Sequence, residues 1–356
     1  MTYAGGTPSD PGAPDKVGIL VTNLGTPDAP ERAAVRRYLK EFLWDPRVVE
    51  IPRPLWWLIL NGVILNVRPA RSAEAYQTVW TERGSPLMYH TSDFTDALRE
   101  HMQREHGEDV AVEFAMRYGS PSIAEVAGKL LSGGVTRLVV LPMFPQYSGA
   151  TSGSTFDALS RYLQGRREIT DLRFVASYHD DPGYIAALAN KIADFQSVHG
   201  RPDKLLFSYH GVPARYCAEG DPYRLQCLDT TRRIVQALDL PEDAYMTCFQ
   251  SRFGREEWLQ PYTDETLKAL PGQGVQSVQV VCPGFSADCL ETIEEIGVEN
   301  RDYFVEAGGR DYAYIPCLNS DEEHVAAIAR LLREQAAGWL DANPVDQQAQ
   351  AAAAPR

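Results

Sequence analysis

VVCPGFSADCLETIEEI, residues 280–296, is the stretch that decides the fold, because it reads as a buried strand, a turn and an acidic helix. Two β-branched valines favour the strand, a Pro-Gly pair ends it, and Ser286 or Asp288 is placed to cap the helix that follows. Glu291 and Glu295 stand four residues apart, so they share one helix face and repel each other. The pair indicates either a solvated helix face or a path for a cation or a proton.

A second predicted strand ends in a histidine. In KLLFSYHGVP, residues 204–213, an apolar run leads to His210, and a Gly-Val-Pro turn follows. Ligands of open α/β sheets bind at the carboxyl ends of strands, where a histidine is a base, a metal ligand or a hydrogen-bonded structural residue. With Glu291 near the end of another strand, His210 forms a mixed nitrogen and oxygen set that suits a divalent ion such as Fe(II).

Strand and helix patterns alternate between residues 17 and 338, which is typical of parallel sheets covered by helices. Since the alternation occurs twice, we predict an α/β protein of two Rossmann-like domains, each a parallel sheet flanked by helices. Gly25-Thr26-Pro27 follows the first strand where a dinucleotide site would need G-x-G-x-x-G. We therefore predict no nucleotide cofactor.

Composition narrows the function classes. The chain has 356 residues, a net charge of -14 and 44% hydrophobic residues, so it can bury a large core and lacks the basic surface that nucleic acid requires. We predict no nucleic-acid partner. Six cysteines without paired short spacing, and no signal peptide, predict reduced thiols in the cytoplasm.

Two segments leave alternatives open. The most apolar run, within residues 54–69, is too short to span a bilayer, which takes about 20 residues. It fits a buried core helix, which composition favours, an interfacial anchor, or the lip of a hydrophobic pocket. The loop 148–154 is rich in hydroxyl and amide donors, so it either cradles an anion or caps the next helix.

Six motifs in this order resemble the ferrochelatase family, in its Gram-negative bacterial version. The resemblance covers residues 16 to about 335 and implies an enzyme that inserts ferrous iron into a porphyrin. The motifs are GILVTNLGTP (18–27), FAMRYGSPSI (114–123), PQYSGATSGST (145–155), FSYHG (207–211), FQSRFG (249–254) and CPGFSADCLETIEEI (282–296).

The resemblance assigns roles to particular residues. His210 and Glu291 become the catalytic and metal-binding pair, and Glu295 and Asp288 a secondary acidic path. The implied porphyrin-binding positions, each of which alone also fits ordinary core packing, are Leu24, Arg117, Tyr118, Phe249 and Phe285. A guanidinium group is well shaped to pair with a porphyrin propionate. The first candidate for this role is Arg117, and the others are Arg68, Arg71 and Arg252.

The implied reaction is that of a lyase of haem biosynthesis: insertion of Fe(II) into protoporphyrin IX, release of two protons and formation of protohaem. Leu24 stands where coproporphyrin-using enzymes carry tyrosine, which favours protoporphyrin. Cys289 replaces a histidine of the animal enzyme, and the cysteines of the animal iron–sulfur cluster are missing, which excludes that cluster by ligand count. The alternatives are a non-catalytic tetrapyrrole or haem binder and a chelatase for another divalent metal or porphyrin.

The alternation of strands and helices, together with the family resemblance, predicts how the chain is divided into domains. We expect an N-terminal domain at 16–180 and a C-terminal domain at 181–319 that carries His210 and Glu291. A helix at 320–340 is expected to pack back on the first domain, and the tails 1–15 and 341–356 are expected to be disordered. The resemblance also implies that the region 54–69 is a lip over the porphyrin or a peripheral membrane contact, in a monomer or weak dimer.

Overall fold

The computed structural model describes residues 15–254 and 256–340. The predicted tails 1–15 and 341–356 therefore lie outside the described residues, except for Asp15.

Across these described residues, eight strands form two four-stranded sheets, in which every neighbouring pair is parallel. The strands are β1 (Val17–Gly25), β2 (Val110–Tyr118), β3 (Arg137–Pro142), β4 (Asp171–Phe174), β5 (Lys204–His210), β6 (Tyr245–Gln250), β7 (Ser277–Val281) and β8 (Asp311–Ile315). The first sheet has the order β2-β1-β3-β4 and the second the order β6-β5-β7-β8. The predicted fold class, two parallel sheets flanked by helices, is confirmed.

The central strands are apolar because helices cover both faces of each sheet. In β1 all but one of the nine residues are buried, and in β5 five of seven. The α-helices of the described residues are α1 (Arg32–Trp44), α2 (Arg53–Ile59), α3 (Leu65–Val79), α4 (Pro86–His106), α5 (Ile123–Ser132), α6 (Ser154–Gln164), α7 (Pro182–His199), α8 (Ala214–Ala218), α9 (Tyr223–Ala237), α10 (Thr263–Ala269), α11 (Asn300–Glu306) and α12 (Glu322–Gln335).

The last helix, α12, packs against α4 from the first half of the chain and α7 from the second. Its apolar face contributes to the large core that both halves share, through Val325, Ile328, Leu331 and Leu332. Arg330 of α12 also binds Asp181, the residue that caps α7, at 2.6 Å. The two halves are thus held together through buried surface as well as through the chain.

Within the part of the chain that the structure describes, three segments are π-helical: Leu60–Ile64, Gly149–Gly153 and Glu291–Glu299. Such segments are rare and are frequent at functional sites. The third corrects the prediction that Ser286 or Asp288 caps the helix after β7. The π-helical segment begins at Glu291 and has no side-chain cap. Ser286 instead bonds Tyr178 Oη at 2.8 Å, and the Asp288 carboxylate is occupied by other donors, described below.

The apolar run near residue 60 forms α2, a π-helical turn and the start of α3. Its inner face is buried, with Trp56, Leu60 and Leu65 in one core cluster. Its outer face carries exposed apolar side chains, which are Leu55, Trp57, Leu58, Val63 and Val67. Of the three alternatives, the buried core helix therefore fits only the inner face of this run. Among the described residues, no helix has the length and hydropathy needed to cross a membrane.

Candidate active site

His210 is the last residue of β5 and is half-buried at the carboxyl edge of the second sheet. Its Nδ1 lies 2.6 Å from the carbonyl oxygen of Gly211. Because a carbonyl only accepts, Nδ1–H is the donor, and in the neutral imidazole Nε2 then keeps its lone pair. The rings of Trp258 and Phe285 lie on either flank, each with its centroid 6.4 Å from the imidazole centroid. The imidazole can therefore accept a proton or bind a metal beside an aromatic surface.

Glu291 is held near this histidine by the neighbouring strand. Gln250, at the end of β6, is the register partner of His210. Its side-chain Nε2 donates to the backbone carbonyl of Glu291 at 2.8 Å. The structure thus brings the first residue of the π-helical segment to the edge where His210 lies.

The charge of Glu291 changes the pKa of residues in the first half of the chain. After burial, its charge is the next largest cause that raises the pKa of Tyr76, and it also raises the pKa of Tyr38. Burial lowers the pKa of Arg68, and the charge of Glu291 opposes that change. The α3 helix also packs directly against the π-helical segment. The carboxylate therefore lies between the two halves, among two tyrosines and an arginine.

Glu295, one turn further, has an unusual environment for a carboxyl group. Burial raises its pKa to about 7, and the charge of Glu291 adds to this, against the hydrogen bonds from Ser251. Ser251 donates its backbone N–H to Oε1 at 2.8 Å and its hydroxyl to Oε2. A carboxyl group that titrates near neutral pH can take up and release protons at working pH.

Asp288 is bonded differently from the two glutamates. Its buried carboxylate accepts hydrogen bonds from Tyr314 Oη at 2.5 Å, Asn319 Nδ2 at 2.7 Å and Thr292 Oγ1 at 3.0 Å. Both oxygens are therefore in use, and the residue ties the start of the π-helical segment to the chain around and after β8. Its part in an acidic path stays a prediction.

Arg117 and Tyr118, at the end of β2, belong to a buried polar cluster. Arg117 pairs with the carboxylate of Asp45, and its Nε donates to Ser154 Oγ at 2.6 Å. The hydroxyl of Tyr118 donates to the same carboxylate at 2.9 Å. Burial would raise the pKa of Asp45, but the hydrogen bonds and the charge of Arg117 outweigh it and hold the pKa below its usual value. Arg117 thus already has an internal anionic partner.

The apolar candidates fall into two groups. Leu24 and Phe285 are partly buried and pack on one small cluster, in which Leu87 comes from the first half and Ala287 and Cys289 from the second. Phe249 is instead 3% exposed and lies in the main core, beside the ring of Tyr209. The structure brings Leu24 and Phe285 together and places Phe249 beneath the surface.

Sequence reasoning missed two residues that lie close to His210. Trp258 contacts its ring, and backbone bonds from Leu259 and Ala214 pair its loop with the chain after His210. Gln250 is the other, as described above. The signals in the sequence were an aromatic residue in the charged run REEWLQP and a polar residue at a strand end.

The loop 148–154 has both predicted features in part. Ser148 caps the π-helical turn by accepting from Ala150 N. The backbone N–H of Gly149 donates to the carboxylate of Asp221 at 2.7 Å, and Ser148 Oγ donates to the same oxygen at 2.9 Å. The loop therefore does bind an anionic group, but this group is the side chain of Asp221 from the second half of the chain. Within residues 15–254 and 256–340, no three His, Cys, Asp or Glu side chains are grouped to hold a metal.

Two four-stranded parallel sheets flanked by helices define a chelatase-like α/β fold. Solved structures share this fold. "SirB from Bacillus subtilis with Fe3+" superposes with a TM-score of 0.54 at 14% identity, covering 92% of this chain and 100% of that chain. The sirohydrochlorin chelatase SirB from Bacillus subtilis subspecies spizizenii, in complex with cobalt, gives 0.51 at 13% identity, with 90% and 95% covered.

Sequence comparison then identifies the family. The family model Ferrochelatase matches residues 16–336. The ferrochelatase of Pseudoalteromonas atlantica is 61% identical over 325 residues, which are 91% of this chain and 90% of that relative. The chain therefore belongs to the ferrochelatase family, lyases of haem biosynthesis whose substrates are ferrous iron and a porphyrin. The predicted family and its Gram-negative version are confirmed.

Proposed function

We propose that this chain inserts Fe(II) into protoporphyrin IX to give protohaem and two protons, with His210 and Glu291 as the catalytic pair. The observation that carries the proposal is the placement of these two residues at one edge of the second sheet. His210 has Nδ1 fixed on Gly211 and Nε2 open, and Glu291 is tied to the adjacent strand end through Gln250.

Each residue meets one demand of the reaction. His210 Nε2 accepts a proton from a pyrrole N–H, since a neutral imidazole is a base near physiological pH. Glu291 supplies negative charge that balances the incoming cation. Glu295, with its pKa near 7, takes the proton onwards, because it alternates between its two forms near neutral pH. Cys289 remains a thiol, since burial raises its pKa well above the usual value.

The porphyrin itself needs an apolar wall and a partner for its propionates. Leu24 and Phe285, with Trp258 beside His210, are placed to form the wall. Arg68 is the better propionate partner. It stacks on Phe253, with Cζ 5.3 Å from the ring centroid. Unlike Arg117, which is paired with Asp45, it has no hydrogen-bonded acceptor among the described residues. Arg117 keeps this role only if its pair with Asp45 opens.

The exposed apolar face of α2 and α3 is proposed as a peripheral membrane contact on a cytoplasmic protein that is a monomer or weak dimer. Five large apolar side chains on one short segment make a patch of the kind that binds membranes or partners.

We propose no iron–sulfur cluster and no nucleotide cofactor. Burial raises the pKa of all six cysteines, which favours thiols over metal-binding thiolates.

A spectrophotometric assay with protoporphyrin IX and Fe(II) or Zn(II) tests the proposal. Wild-type chain is expected to form metalloporphyrin, and His210→Ala is expected to lower kcat by about a hundredfold to ten-thousandfold. His199→Ala is the matched control, because that histidine is exposed at the end of α7. Porphyrin binding without metallation by the wild type would make the chain a tetrapyrrole binder, and equal activity of His210→Ala would remove the histidine from the mechanism.

A further inference from the structure

A buried glutamine lies between the two proposed catalytic residues. Gln250 ends β6 opposite His210 and is 3% exposed. Its Oε1 accepts from Ser208 Oγ at 2.8 Å and from the thiol of Cys282 at 3.5 Å. Its Nε2 donates to the carbonyl of Glu291 at 2.8 Å. One side chain thus joins β5, the residue after β7 and the π-helical segment.

The primary amide suits this place because it carries a donor and an acceptor at a fixed separation. In a π-helix the carbonyl of Glu291 accepts from the N–H five residues on, and its second lone pair stays available for Gln250. A carboxylate at position 250 would set an oxygen against that carbonyl. An apolar side chain would bind neither neighbour.

The surroundings of Gln250 leave it little freedom. Ser208, its donor, is itself bonded to Thr263 Oγ1 at 2.9 Å. The backbone carbonyl of Gln250 accepts from Gly211 N at 2.7 Å, directly after His210. The next residue, Ser251, binds the Glu295 carboxylate one turn along the π-helical segment. The end of β6 therefore contacts both the histidine strand and the two glutamates.

We infer that Gln250 is a positioning residue for metal insertion: its amide fixes Glu291 relative to His210. The inference rests on the proposed function of that pair. Gln250 acts through Glu291 and lies below the surface, so its loss is expected to lower kcat while the KM for porphyrin stays the same. Misplacement of a reacting group by about 1 Å can cost about a hundredfold in rate.

Gln250→Met tests this, with Gln279→Met as the matched control. Gln279 is a buried glutamine of β7 whose Nε2 donates to the carbonyl of Gly200 at 2.9 Å, and its register partner is Leu205, far from His210. Both changes remove one buried amide of the same sheet. We expect Gln250→Met to lower kcat about tenfold to a hundredfold with KM within about twofold, and Gln279→Met to leave both unchanged while it lowers the unfolding midpoint similarly.

A double-mutant cycle separates positioning from general loosening. In a Glu291→Ala background, Gln250→Met is expected to cost no further activity, since the group that it positions is gone. Unchanged kcat in Gln250→Met, or an equal loss in both backgrounds, would overturn the inference. If Gln250→Met does not fold, Ser208→Ala, which frees the amide oxygen, replaces it with a smaller expected loss of kcat. If the wild type does not metallate porphyrin, the proposed function fails. If the wild type is active and the Gln250 and Ser208 variants have the same kcat, the proposed function stands and only this inference fails.

Discussion

The two sheets share one strand order but differ at their carboxyl edges. At the edge of the first sheet, Asp45, Arg117, Tyr118 and Ser154 satisfy one another in a buried cluster. At the edge of the second, His210 keeps an open nitrogen and Glu295 titrates near pH 7.

The difference lies in how completely the charges are compensated. In the first cluster four donors surround one carboxylate, the side chains of Arg117, Tyr118 and Ser154 and the backbone N–H of Arg47, so its pKa is lowered and it stays ionised. At the second edge two glutamates lie close together with few donors, so burial and mutual repulsion raise a pKa. In the same fold, the charged groups at the first sheet edge therefore stabilise the structure, whereas those at the second edge remain able to exchange protons. The following changes test that contrast, beginning with the largest expected effect.

Asp45→Ala is expected to lower the free energy of unfolding by about 3–5 kcal/mol, because it leaves the buried guanidinium of Arg117 unpaired. Asp157→Ala, which breaks the more exposed pair with Arg47, is the matched control and is expected to cost about 0–1 kcal/mol. Urea denaturation measures both. Equal small losses would show that the first edge is no more structural than the surface.

Glu295→Gln is expected to remove part of the pH dependence of stability. The pKa of Glu295 is about 7 when folded and 4.5 as an isolated side chain, so between these values the folded chain binds more protons than the unfolded one. This group therefore makes the wild type lose stability as pH rises. From pH 5 to pH 8, the stability of the wild type relative to Glu295→Gln should fall by about 2.5 kcal/mol.

The control for this change is Glu306→Gln, which alters the net charge equally at an exposed position in α11. Denaturation midpoints at several pH values, converted to free energies, give the two profiles. A profile of Glu295→Gln parallel to that of the wild type would mean that this carboxyl titrates as an ordinary surface group, and the contrast between the edges would weaken.

The contrast itself was only partly predictable from the sequence. Buried parallel strands are continuous apolar runs, so the repeated alternation of strands and helices, and with it the two parallel sheets, could be predicted. His210 and Glu291 could be predicted as site residues because strand ends and spacing are local features, and their role stays a prediction. The internal partner of Arg117 was not, since Asp45 lies 72 residues away and their pairing depends on the fold. The π-helical register of Glu291–Glu299 was missed because it is supported by Gln250 and Ser251 of another strand.

Arg68→Leu tests which arginine receives the propionate. We expect KM for protoporphyrin to rise about tenfold or more with little change in kcat, because a charge-assisted hydrogen bond contributes about 1.5–3 kcal/mol. Porphyrin dimethyl ester is the control substrate, since it has no carboxylate to bind. A similar rise in KM with the ester would assign Arg68 to packing over Phe253 and return the role to Arg117 or Arg71.

The smallest expected effect concerns the exposed apolar face formed by α2, the π-helical turn Leu60–Ile64 and the start of α3. Val63→Asp places a charge within that face, whereas Val198→Asp makes the same change at an exposed valine of α7 outside it. Binding to vesicles, measured by co-sedimentation, is expected to fall about tenfold for Val63→Asp, or about 1.4 kcal/mol, and to stay unchanged for Val198→Asp. Since neither valine lies at a sheet edge, metallation of detergent-solubilised porphyrin should be the same in both variants. Loss of activity in Val63→Asp without loss of vesicle binding would instead make this face part of the porphyrin lip.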